Sequence, residues 1–161
     1  MERVNRIIQH EVFIKEMKKL NRLERDRMYC RHDIDHLLNV ARLAYITALE
    51  ETLPLKKDLI YAAALLHDIG RASQYETGMP HDKAGALIAE TVLTDCGFGE
   101  GECAEILEAI SCHRSKDTAA GDRPLARILY EADKRSRACF ACKAQDSCNW
   151  PIERKNYNVK R

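Results

Sequence analysis

The segment ALLHDIGR, residues 64–71, runs from apolar residues into His67 and Asp68 and is then broken by Gly70. Both polar side chains are costly to remove from water unless something pairs with them. Asp68 is the sharper anomaly, because a carboxylate at a helix C-terminus opposes the helix dipole, which favours cations there. A bound divalent cation removes both penalties. Imidazole nitrogen combined with carboxylate oxygen suits Zn, Mn, Fe, Co or Ni.

Other polar residues fall on apolar stripes at helical spacing, where i, i+3 and i+4 neighbours share a face. His36 stands with Val40, Leu43 and Thr47, and His81 with Ala84, Ile88 and Val92. His113 stands with Cys103, Ile106 and Ile110, and Asp133 with Leu125 and Leu129. Four of the six histidines therefore face inward or close an element. Taken singly, each has a plainer reading: a hydrogen-bonded core histidine, or for Asp133 an arginine partner. Taken together with Asp68, they form a candidate ligand set.

The elements that must position these residues are helical. Strand-like alternation is absent, and helical spacing recurs. The pattern predicts helices over 2–20, 31–51, 56–67, 81–95, 101–113 and 123–138. The first has a loosely apolar side of Val4, Ile7, Ile8, Val12, Ile14 and Met17. The third is apolar nearly all round and belongs at the centre of the bundle. GRASQYETGMP and RSKDTAAGDRP read as loops, and Pro124 falls in a first turn, where proline is tolerated.

The 161 residues suit one domain, with an N-terminal helix and connection over 1–29, a helical core over 30–138 and a tail over 139–161 that shows no clear period. Hydrophobic residues make up 45% and charged residues 32%, an ordinary globular balance. The formal charge is only +1, so the chain as a whole is no electrostatic match for extended nucleic acid or an acidic membrane, and a small ligand is expected. The charged N-terminus lacks the apolar core of a signal peptide, and no stretch suits a bilayer span. The seven cysteines are an odd number, which points to a reducing cytoplasm with thiols or metal ligands and not to a disulfide framework.

Five segments in order, HLLNVARLA, LLHDIGR, HDKAGALIAETVL, AISCHR and YEADK, resemble the HD-domain superfamily of metal-dependent phosphohydrolases over about residues 30–135. The resemblance implies an all-helical HD-domain bundle with a metal site between central helices. The family signature H…HD…D maps onto His36, His67, Asp68 and Asp133. His36 is preferred to His32 because it precedes Val40 by four residues, as in the family's first motif, although His32 lies one turn away. The two-metal subset of the family carries two further histidines, and His81 and His113 occupy those places. This implies His36, His67 and Asp133 on one metal, His81 and His113 on the other, and Asp68 shared. Some dinuclear relatives that cleave dinucleoside polyphosphates have adjacent histidines at the second place, whereas Cys112-His113-Arg114 offers one.

The implied activity is hydrolysis of a phosphate ester or anhydride in a nucleotide or other small phosphorylated molecule. Two metals sharing a hydroxide can attack phosphorus in line and stabilise the phosphoryl oxygens. Asp68 is the catalytic carboxylate in this reading. Lys134 and Arg71, and less strongly Arg114, are candidates to position phosphate, against the plainer reading of solvated surface charge. The same ligand set also serves an HD-fold di-iron oxygenase or a non-catalytic nucleotide-sensing module.

A second cluster lies in CFACKAQDSC, where Cys139 and Cys142 form a C-x-x-C pair and Cys148 follows. Cys30 lies six residues before His36, and Cys139 lies six after Asp133. Six helical residues rise about 9 Å. If His36 and Asp133 meet on antiparallel neighbours, Cys30 and Cys139 lie toward one end. The four thiols would then suit Zn, an iron–sulfur cluster or a redox pair, against the plainer reading of unrelated reduced thiols. Such a cluster would tie the tail over the bundle, and loss of Cys142 would lower stability more than activity.

Overall fold

The computed structural model describes residues 1–115 and 122–159. Among these are eight α-helices and no strand: α1 (Glu2–Gln9), α2 (Glu11–Leu23), α3 (Ile34–Glu50), α4 (Lys57–Leu66), α5 (Arg71–Thr77), α6 (His81–Asp95), α7 (Glu100–Cys112) and α8 (Pro124–Arg135). The fold is an all-α bundle. As its composition requires, α4 lies in the middle, touching α1, α3, α6, α7 and α8. Its residues Leu59, Ile60 and Ala62 to Leu66 are buried. Leu37, Val40, Leu93, Ile106, Ile110, Leu125, Ile128 and Leu129 close around it in one core cluster. Fully burying a leucine or isoleucine side chain contributes roughly 1.5–3 kcal/mol.

The expected first helix is two. His10 adopts an extended ψ of 133° and accepts a hydrogen bond from the Val12 N–H through Nδ1, capping α2. Its Nε2 meets Asp95 at 3.1 Å. Apolar residues continue across the break, which is why periodicity hides it. The break also re-aims the stripe: Phe13, Met17 and Leu20 face inward, whereas Ile8 and Ile14 are exposed.

The expected loop over 70–80 holds α5. Gly70 precedes it, and Gly78 ends it with φ of +79°, a left-handed cap that glycine adopts freely. Only Ala72 of α5 is buried, so its apolar signal is too weak to read. The helix expected over 31–51 begins at Ile34, because the Asp33 side chain accepts from the His36 N–H at 3.0 Å as an N-cap. The helix expected over 123–138 stops at Arg135. There the tail residue Asn156 donates through Nδ2 to the carbonyls of Lys134 at 2.7 Å and Arg137 at 2.9 Å, satisfying acceptors left open at the helix end. The tail forms two short 3-10 turns, Cys139–Ala141 and Ile152–Arg154. Of the expected loop over 114–124, residues 116–121 lie outside the described residues. No helix among the described residues is long and apolar enough to cross a membrane.

Candidate metal centre

The end of α4 places His67 and Asp68 where α3, α6, α7 and α8 converge. Asp68 is the hub. Its Oδ2 lies 3.2 Å from His67 Nε2 and 3.6 Å from His36 Nε2. Its Oδ1 lies 3.3 Å from His81 Nε2 and 3.7 Å from His113 Nε2. Asp133 Oδ1 is 3.3 Å from His36 Nε2 and 3.9 Å from His67 Nε2. The six residues thus fall into two sets of ligand atoms, each within 4.8 Å of one another: His36, His67, Asp68 and Asp133, and Asp68, His81 and His113. All six are buried.

Each histidine is turned so that Nε2 faces Asp68. His67 Nδ1 donates to the Ala64 carbonyl and His113 Nδ1 to the Ile110 carbonyl, both at 2.6 Å. His81 Nδ1 bonds the Gln74 side-chain oxygen on α5. Ser136 Oγ donates to the Asp133 carbonyl, which leaves it to accept from His36 Nδ1 at 3.3 Å. Carbonyl oxygens only accept, so the Nδ1 atoms of His67 and His113 carry hydrogen and their Nε2 atoms face inward, as metal-binding histidines are commonly held. His67 Nε2 and both Asp68 oxygens are buried without a hydrogen-bond partner. Orphaned buried polar atoms of this kind are rare and costly. A divalent cation bound by these lone pairs answers the cost, so the residues fit a metal.

The electrostatics favour positive charge at this point. Burial opposes charging His67, but Asp68 and Asp133 outweigh it and raise its pKa to about 9. Burial would raise Asp68, yet His67 and Arg71 hold it well below the usual carboxylate range. Asp133 is likewise held low against burial by His36, His67 and Lys134. His81, lowered to about 3 by burial and then by Arg71, is a neutral imidazole.

His32 takes a different place. It precedes the N-cap of α3 and so shares no helical stripe with His36. Its Nδ1 bonds Glu24 Oε1 at 2.7 Å, and its backbone N–H donates to Glu24 Oε2 at 2.8 Å. Burial lowers its pKa to about 4 in spite of Glu24. His32 is absent from both ligand sets, and His36 is present. Burial would raise the Glu24 pKa, but His32 and Tyr75 outweigh it and bring it to about 2. The unfolded chain therefore binds the Glu24 proton more readily. The contribution is full above the ordinary value of 4.5 and is lost as pH falls toward about 2. Glu24→Gln is expected to lower stability by about 1–3 kcal/mol at neutral pH and to flatten the acid limb of stability. Denaturant unfolding between neutral pH and the acid limb checks this, and an unchanged acid limb in the variant would refute it.

Sequence reasoning missed several residues. Gln74 and Tyr75 lie on the unexpected α5. Arg137, buried just past α8, donates from Nη2 to Asp133 Oδ1 at 3.3 Å and to His36 Nε2 at 3.2 Å, and from Nη1 to the Arg31 carbonyl at 3.2 Å. Its spacing of four from Asp133 is the signal that marks it. Ser136 gives no signal in sequence.

Two cavities, of about 700 and 670 Å³, adjoin the centre and share Arg71, Asp133, Lys134 and Trp150 in their walls. Arg71 Nε is 2.8 Å from Asp68 Oδ1, an ion pair in distance although not aligned as a hydrogen bond. Lys134 Nζ pairs with Asp133 Oδ2. Arg114 lines the first cavity and pairs with Asp82 at 3.4 Å. Cys30, Cys139, Cys142 and Cys148 line the second.

Residues 33–138 match the family model of the HD domain. This chain belongs to the HD-domain family. An uncharacterized protein of Clostridium beijerinckii is 39% identical over 99% of both chains. A ribonuclease Y of Nitratidesulfovibrio vulgaris strain DP4 is 32% identical over 76% of this HD-domain chain, which spans only 21% of that protein's length. The crystal structure of a predicted HD superfamily hydrolase from an uncultured Thermotogales bacterium superposes with a TM-score of 0.66 at 25% identity, covering 92% of this chain and 81% of that one.

Proposed function

We propose that this HD-domain chain is a metal-dependent phosphohydrolase that cleaves a phosphate ester or anhydride of a nucleotide or other small phosphorylated molecule. The observation that carries the reading is the convergence of four inward-facing Nε2 atoms on the unpartnered oxygens of buried Asp68. His36, His67 and Asp133 would hold one divalent ion and His81 and His113 a second, with Asp68 shared. The metal class is Mn, Fe, Co, Ni or Zn. Bound there, divalent metal supplies a lowered water pKa and Lewis acidity toward phosphoryl oxygen.

The chain's own residues do the rest. Arg71 steadies Asp68 and, like Lys134, lines both cavities, so both present positive charge to an incoming phosphate. Arg114 adds charge to one side. Cavities of this size suit a small ligand, for which about 300–1,000 Å³ is usual. The walls also carry Glu131 and Glu153 beside their cations, which fits the net charge of +1 and disfavours a long polyanion.

The similarity to chains named ribonuclease Y favours a second reading, cleavage of a phosphodiester in RNA. A panel of nucleoside mono-, di- and triphosphates, a dinucleoside polyphosphate, p-nitrophenyl phosphate and a short RNA separates the two. Metal-dependent phosphate release from the small substrates, unaffected by oxygen, is expected. Faster cleavage of RNA than of any small substrate would move the reading to the second, and nucleotide binding without turnover under any metal would overturn hydrolysis. Lys134→Ala is expected to lower kcat/KM by about 10- to 100-fold, the value of a charge-assisted hydrogen bond to phosphate. Steady-state kinetics at matched metal content check it, and an unchanged kcat/KM would remove Lys134 from the site.

A further inference from the structure

We propose that Cys30, Cys139, Cys142 and Cys148 bind a zinc-class divalent cation as a structural thiolate site, separate from the histidine–carboxylate centre, which fastens the tail to the segment before α3. Four of the seven cysteines line one cavity, although Cys30 is remote in sequence from the other three. Cys139 and Cys142 bracket a 3-10 turn in which the Cys142 N–H donates to the Cys139 carbonyl at 3.2 Å. C-x-x-C on a tight turn is the usual way one short segment offers two thiolates to zinc. Arg137 lines the same cavity, with Nη1 donating to the carbonyl of Arg31, the residue after Cys30.

Residues 139–159 contribute two buried apolar side chains, Cys139 and Ala144, and neither joins the main core cluster. Phe140, Ile152, Tyr157 and Val159 stay exposed. Ordering each backbone residue costs about 1–2 kcal/mol, so this burial alone does not hold the segment. Its polar ties to the segment before α3 are few: Tyr29 Oη donates to the Ser147 carbonyl at 3.1 Å, and Ser147 Oγ meets Met28 Sδ at 3.7 Å. Small, poorly buried segments are commonly stapled by disulfide or metal, and here the thiols stand where a staple is needed.

As free thiols the four are not among the sets whose ligand atoms lie within 4.8 Å of one another. Neutral thiols gain little by closing further. Burial raises the Cys30 pKa, which favours the thiol in the absence of a cation. Zinc–sulfur bonds of about 2.3 Å require sulfurs about 3.8 Å apart in a tetrahedron, and the cation supplies the attraction that closes them. Binding converts four thiols to thiolates and releases four protons to solvent, leaving a dianionic site that the Arg137 guanidinium partly neutralises. The consequence for the cleft is positional. Trp150, two residues after Cys148, stands in the wall of both cavities, so the staple fixes the wall that faces Asp133 and Lys134.

The test is zinc per chain, purified without chelator, in the wild type and in Asp68→Asn, Cys30→Ser, Cys142→Ser and Cys96→Ser. One zinc is expected to remain in Asp68→Asn and Cys96→Ser and to be lost from Cys30→Ser and Cys142→Ser. Should the last two fail to fold, mercurial titration of the wild type serves instead, with one zinc released as four thiols react. Cobalt substitution is expected to give thiolate charge-transfer absorption. Zinc content unchanged in Cys142→Ser, thiols that react freely with no metal released, or a brown protein with acid-labile sulfide would each overturn the proposal.

Discussion

Asp68→Asn is expected to remove metal retention at the histidine–carboxylate centre and hydrolysis together while leaving the fold in place. The substitution keeps the shape of the side chain and removes the charge on which four imidazoles and Arg71 converge. Loss of a group that merely orients a metal ligand costs about 10- to 100-fold in affinity or activity, so loss of a carboxylate shared by two sets should cost about a thousandfold or more. The folded state is expected to survive because asparagine keeps the size of aspartate and the apolar core around α4 is unchanged. Metal analysis, initial rates and circular dichroism on one preparation check this. A folded variant with wild-type turnover would refute the assignment of Asp68.

Gly70→Ala is expected to be the most damaging change outside the ligands. A Cβ at Gly70 would lie 2.3 Å from both the Gly85 nitrogen and the His81 carbonyl oxygen, and backbone cannot move aside as a side chain tip can. The turn after Asp68 and the first turn of α6 must separate, which carries His81 away from Asp68. A loss of about 3 kcal/mol or more, at the upper end of overpacking, is expected. Weakened metal retention should accompany it. Gly85→Ala provides the contrast. There a Cβ meets the Gly70 nitrogen at 3.4 Å and Ile110 Cγ2 at 3.6 Å, ordinary contacts. Alanine also gains about 1 kcal/mol over glycine inside a helix, so Gly85→Ala should be neutral or stabilising by up to about 1 kcal/mol. Urea unfolding of both variants decides the matter, and a Gly70→Ala protein of wild-type stability would show that the close approach is not what Gly70 serves.

The convergence of these six residues was legible because each lies on an apolar stripe or at the end of an apolar helix. His36, His81, His113 and Asp133 each interrupt an apolar stripe, and the structure brings them to one point. The burial of α4 followed equally from its composition. What escaped was local and polar. His10 ends α1 and caps α2 with a ring nitrogen, a bond that apolar spacing does not encode. The helix α5 is short and buries one alanine, so Gln74, which holds His81, and Tyr75, which bonds Glu24, sat in what reads as a loop. The preference for His36 over His32 rests in sequence on the motif spacing to Val40 alone; the Asp33 cap, which starts α3 between them, is what separates them in the fold. The approach of Cys30 to Cys139 was expected from helical rise on both sides. Neither residue is in an α-helix, and both line one cavity, close to where Asn156 ties the tail back onto the end of α8.

The central claim is that Asp68 joins two histidine sets around divalent metal. The most direct measurement is anomalous diffraction from crystals loaded with manganese or cobalt, recorded on both sides of the metal's absorption edge. Anomalous peaks are expected at the Asp68 carboxylate, one toward His36, His67 and Asp133 and one toward His81 and His113. Metal-loaded crystals with no peak at Asp68 would contradict the claim.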